Sequence, residues 1–225
     1  MREPIDVYLE VVARRTFASA LAWPGLTRSG RDEPGALAAV AAAGGRYRAA
    51  IGAAGGGFVP PSGSSGFVVV ERVPGTATTE FGAPGVAAIS DGRPIEDPEL
   101  DRLSELLRAC WEAFEATAAR HEADVLQTGP RGGGRHLAAI VAHIEGADRA
   151  YLGALGGTLD RSNPAEGSTV ALRAAFLAAL RDRAHGVPPP PSRRRNPAWA
   201  PRYAIRRSAW HALDHAWEIE DRATS

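Results

Sequence analysis

The sequence predicts an α+β protein. A small N-terminal α/β module of sheet and helix covers residues 1–73, a Gly/Pro-rich connection 74–96, and a C-terminal four-helix bundle 97–225. Three observations predict it. The first 73 residues carry β-branched and aromatic runs, IDVYLEVV and FVVVERV above all, which suit a pleated, half-buried surface. From Pro98 onward the apolar residues recur at spacings of three and four, the period of a helix. Between these parts lies a stretch of Gly, Pro and Thr that follows neither period.

Taken in order, Ile5–Val12 and residues 16–22 read as two strands of a hairpin turning at 13–15, and Pro24-Gly25 ends the second. Asp32 is placed to cap a helix over 33–51, with Pro34 in the first turn, where its missing N–H does no harm. Gly44 and Gly45 weaken that helix. Residues 52–66 are loop by composition, and 67–73 form the strongest strand signal, expected to complete the sheet. Residues 74–97 hold at most a short strand near 86–89.

The first bundle helix, 99–122, aligns Leu103, Leu106, Leu107, Cys110 and Phe114 on one side. A turn at 128–134 follows. The second helix, 135–155, is stopped by Gly156-Gly157, and the third, 169–185, cannot pass the prolines at 188–191. The fourth runs over 201–221 with Pro201 in its first turn. Helices of this length, joined by short to moderate connections, pack as a bundle.

Composition excludes several functions. All 26 basic residues of the 225 are arginine, so Schiff-base catalysis and a P-loop lysine are both excluded. The 26 acidic residues balance them, which argues against a general nucleic-acid binder. The run Arg193-Arg194-Arg195 is short and reads as a solvated loop. A single cysteine, Cys110, excludes an internal disulfide and a zinc site built from several thiolates; it reads as a small core residue. No apolar run reaches the ~18 residues of a spanning helix, and the start MREPIDVYLEV lacks the apolar core of a signal peptide. A cytoplasmic protein without membrane association is expected.

The fourth bundle helix carries WHALDHAWEIEDR. His211 and His215 are four apart, so they lie ~40° apart around the helix and ~6 Å along it. Two imidazoles so placed can grip one metal ion; without one, they are the wet side of an amphipathic helix. His143, in the second helix, shares a face with Ala139, Ile140, Ala147 and Ala150, a face expected to point inward. A third nitrogen from a second helix would leave coordination positions open, as catalytic sites do. Asp214 and Glu218 are placed to orient a ligating imidazole or move a proton, Glu218 also to ligate the metal itself, or else both form surface salt bridges.

AIVAHIEGADRAYL (139–152) together with RRSAWHALDHAWEIEDR (206–222) resembles the DinB superfamily, over about residues 97–222. The resemblance implies a four-helix bundle that binds one divalent metal through His143, His211 and His215. Three neutral nitrogens suit zinc, nickel or iron(II) alike. It also implies a small-molecule substrate, a low-molecular-weight thiol as co-substrate, and a homodimer. Trp111, off the main apolar stripe of its helix, is the candidate interface anchor. His121, His136 and His185 fall outside the motifs and read as surface or cap residues. Residues 5–51 more loosely resemble the HicB-like fold, through Trp23-Pro24-Gly25 and the run Gly30-Arg31-Asp32-Glu33-Pro34-Gly35-Ala36-Leu37. This implies a β-β-β-α module, with 67–73 as its third strand or paired elsewhere.

The expected function is therefore a metal-dependent enzyme that activates a thiol or water, as a transferase or hydrolase. The alternative is a non-catalytic binding or sensing protein whose N-terminal module recognises a peptide, protein or small ligand.

Overall fold

A computed structural model describes residues 3–122, 125–128, 134–159, 168–191 and 197–223. It has a mixed N-terminal sheet followed by helices, an α+β fold. Strands β1 (Ile5–Val12) and β2 (Arg15–Ala20) form the expected hairpin, with Tyr8 opposite Ser19 and Glu10 opposite Phe17. Strand β3 (Thr27–Gly30) pairs antiparallel with β2. Helix α1 (Glu33–Ile51) crosses over, and β4 (Phe67–Pro74) returns parallel to β1, giving the order β3-β2-β1-β4.

The third strand is thus Thr27–Gly30, before the helix, and the strong run at 67–73 is the parallel edge strand. TRSG shows no apolar alternation; tertiary pairing to β2 makes it a strand, against local propensity. No strand forms near 86–89: Ile89–Gly92 is a 3₁₀ turn, preceded by the short helix α2 (Ala77–Phe81).

Alternation across the sheet gives it two buried faces. Val7, Leu9, Ala18 and Ala20 lie in the main core with Ala36, Val40, Ala43, Tyr47 and Ile51 of α1, which recur at three and four. Asp32 caps that helix, accepting from Gly35 N–H at 2.9 Å. Tyr8, Glu10, Phe17, Ser19 and Thr27 alternate to the opposite face and are also buried.

Helices α3 (Asp97–Arg120), α4 (Leu137–Leu155), α5 (Thr169–Ala184) and α6 (Pro201–Arg222) form the bundle; α6 packs on α3 and α4, and α5 on α4. The sheet and the bundle share one continuous cluster of buried residues, from Val7 to Ile219. Gly25, at φ 94°, sits at the junction: a Cβ there would lie 2.8 Å from Leu213 Cδ1 and 3.1 Å from Cys110 Sγ. Cys110 is fully buried, and burial pushes its thiol pKa well up, so it is a core residue and not a nucleophile.

The connection is held down by three carboxylates. Glu10 accepts from the Gly85 and Val86 N–H groups and from Thr79 Oγ1; Glu71 accepts from Ile89 and Ser90 N–H; Asp91 accepts from Ala88 N–H and binds Arg206. Backbone donors that composition assigns to a loose loop are in fact satisfied by side chains.

Trp111 departs from expectation. It is 2% exposed, stacks edge-on with Phe176 of α5 at 5.7 Å and donates to Ser208 Oγ at 3.0 Å. It belongs to the bundle core, so it cannot anchor a dimer. The helix is buried on two sides, against α5 as well as α6, so a residue off the main stripe is still inside. Among the described residues, no helix is long and apolar enough to cross a membrane. Arg193-Arg194-Arg195 and most of the turn at 128–134 lie outside the described residues.

Candidate metal centre

Helix α6 presents two stripes. Phe17 of β2 meets Trp210 edge-on at 6.2 Å, and Arg28 of β3 lies 3.9 Å over Trp217, so one stripe faces the sheet module. The adjoining stripe holds Arg207, His211 and His215 and faces α4, where His143 completes a group of three imidazoles. One ligand nitrogen from each of the three lies within 4.8 Å of the others. His143 Nε2 and His211 Nε2 face each other at 3.1 Å.

One edge of this group has the spacing of two ligands on one divalent ion. Nitrogens 2.0–2.1 Å from one metal stand about 3.3 Å apart at a tetrahedral angle and about 2.9 Å apart at a right angle. The 3.1 Å edge lies between those values. His215 Nδ1–H donates to Glu218 Oε2 at 2.7 Å, which leaves Nε2 as the free lone pair. Tyr151 OH stands 3.3 Å from His211 Nδ1 and can accept its proton, fixing the same tautomer.

Electrostatics favour the neutral form of His211 and His143. Burial, followed by the neighbouring His215 and Arg207, pushes His211 down to about 2. Burial and Arg135 also lower His143. The hydrogen bond from His215, with the Arg222 guanidinium beyond it, holds the Glu218 carboxyl below its usual range. Arg222 in turn donates to the backbone carbonyls of Gln127 and Arg135, at 2.8 and 2.9 Å, so it ties the α3–α4 connection to the site.

The two acidic candidates separate. Glu218 touches a candidate ligand. Asp214 turns to the sheet module and pairs with Arg28 at 2.7 Å, so it orients no imidazole. It sits on the sheet-facing stripe, about 100° round the helix from His215. His143 is half-buried, because the inward face of α4 runs through Ile140, Ile144, Asp148, Tyr151 and Leu155 and not through Ala150. His136 caps α4 and His185 pairs with Asp97 at 2.7 Å, both outside the site, and His121 caps the end of α3.

Asp148, Tyr151 and Ser208 are residues that periodicity passed over. Their signal was available: spacings of four, four, three and four from Ile140 put Asp148 and Tyr151 on the core line. Ser208 receives the Trp111 indole N–H and donates to Asp148 Oδ1 at 2.9 Å, while Asp148 Oδ2 is buried with no hydrogen-bond partner among the described residues. Burial lifts the Asp148 carboxyl to about 6.

That shift has a pH consequence. The folded pKa lies above the unfolded value, so the native state binds the proton more tightly. Stability is then lost as pH rises from about 4 through about 6. Asp148→Asn is expected to stabilise the protein at pH 7 by about 1–3 kcal/mol and to change little at pH 4. Urea melts of both proteins at the two pH values check this; equal stabilisation at both would refute the assignment.

Comparison of the chain with family models, with curated proteins and with solved structures found no match.

Proposed function

We propose that the protein is a metal-dependent enzyme of the DinB-like type, with one divalent ion held by His143, His211 and His215. The observation that carries this is the convergence of three ring nitrogens from two helices, two of them at 3.1 Å. A divalent ion bound there supplies the Lewis acidity that lowers the pKa of a thiol or a water. The residues of the chain do the rest. His215 is held in its ligating tautomer by Glu218, and Tyr151 does the same for His211. A low-molecular-weight thiol is the proposed co-substrate for transferase chemistry; hydrolysis is the competing reaction at the same site. Zinc, nickel and iron(II) all suit the donor set.

Glu218→Gln tests the orienting role. It keeps the shape and removes the charge, and it is expected to weaken metal binding about 10- to 100-fold, read by competition with a chromophoric chelator. Unchanged affinity would mean that Glu218 serves only Arg222.

One observation favours the second reading, a non-catalytic binding protein. The edge strand β4 exposes Val68 and Val70, at 42% and 45%, where an extended peptide could add to the sheet. Metal content without turnover on thiol and ester panels, together with peptide capture lost in Val70→Lys, would favour it. A homodimer remains part of the proposal, though without Trp111; light scattering near 24 kDa, close to the chain mass of 23.6 kDa, would refute it.

A further inference from the structure

Helices α4 and α6 meet at His143 and His211, at Asp148 and Ser208, and at Tyr151 and Arg207. Residue numbers rise along one helix as they fall along the other, so the two run antiparallel. At the middle contact Asp148 Oδ1 accepts from Ser208 Oγ, which in turn accepts from the Trp111 indole, and all three side chains are buried. The link thus joins α4, α6 and α3. Asp148 lies ~7.5 Å along α4 from His143, and Ser208 lies ~4.5 Å along α6 from His211.

Apolar burial is non-directional, so by itself it tolerates a small slide of one helix on the other. A hydrogen bond does not, because it holds only within a window of about half an ångström. A metal site is as exacting, since each nitrogen must stand about 2.0–2.1 Å from the same ion. The link also carries a cost. Asp148 Oδ2 is buried with no hydrogen-bond partner among the described residues, and an ionised carboxylate there is poorly solvated. Fixing register is the best-attested use of a buried polar group held at such a cost.

We propose that Asp148 and Ser208 are positioning residues for the candidate metal centre: their hydrogen bond fixes the axial register of α4 against α6 and so sets the approach of His143 to His211. This rests on the metal reading given above.

The test titrates the whole protein with cobalt(II) at pH 7, reading affinity and the visible d–d bands, under conditions where each variant matches the wild-type circular dichroism. Asp148→Leu, which removes the acceptor at similar size, is expected to weaken cobalt binding about 10- to 100-fold and to shift the bands. Ser208→Ala, a smaller change, should do the same, and it decides the matter if Asp148→Leu does not fold. Asp148→Asn keeps Oδ1 as acceptor and should retain both the affinity and the spectrum of the wild type. Wild-type affinity and bands in Ser208→Ala, or a loss in Asp148→Asn equal to that in Asp148→Leu, would overturn the positioning role and leave the metal centre standing. A wild-type protein that takes up no cobalt would overturn both.

Discussion

His211→Ala is expected to abolish the proposed metal binding, from about one equivalent to none after dialysis, while the helical circular dichroism persists. The reason is positional. His211 is the imidazole whose Nε2 faces His143 at 3.1 Å, and it is only 7% exposed, so no solvent-side group can replace it. His143→Ala is expected to do the same, leaving an α6 pair alone, which holds a divalent ion far more weakly. Activity, once a substrate is found, should fall with the metal in both variants. Elemental analysis of wild type and both variants, after reloading with zinc, nickel and iron(II), decides the matter. Equal and negligible metal in all three would end the proposal. The fold should tolerate the change, because burial favours the neutral ring and its loss strands no charge.

The largest stability effect is expected at Asp91. Its carboxylate and the Arg206 guanidinium form a paired set of hydrogen bonds at 1% and 5% side-chain exposure. Arginine cannot shed its proton to escape burial. Asp91→Ala therefore leaves a buried uncompensated charge and also frees the Ala88 N–H. The expected loss is about 3–5 kcal/mol, or about 8–15 °C in Tm. The double variant Asp91→Ala/Arg206→Met should recover much of it, because no charge then remains to be desolvated. Denaturant melts of the single and double variants measure this. A loss below ~1 kcal/mol in the single variant would show that water reaches Arg206.

The sequence was most legible where one physical signal dominated. Apolar residues at three and four located α3 to α6 within a residue or two, and Asp32 and Pro34 located the start of α1. His143, His211 and His215 could be read as one group only because two segments far apart in sequence carried them. Their actual approach depends on how α4 and α6 cross, which no spacing encodes. β3 was hidden because its residues are polar and its pairing is supplied by β2. Asp214 and Glu218 looked alike in sequence. The sheet module supplies Arg28 to one and the helix supplies His215 to the other, and that difference is tertiary. Trp111 looked exposed because a stripe count assumes one buried side, and α3 has more.

Helix α6 is buried along most of its circumference, with Trp210 and Trp217 turned to the sheet module and His211 and His215 turned to α4. A single rigid rod thus serves two cores, and Gly25 locks the sheet's turn against Leu213 from the other direction. Such a chain has no seam along which to come apart. Removing residues 1–73 would bare two indoles, Arg206 and Asp214 in one stroke, so the bundle alone would be a sticky fragment and not a smaller protein. Heat or denaturant should dismantle sheet and bundle in one cooperative step, and a lesion in β2 should be felt at the histidines.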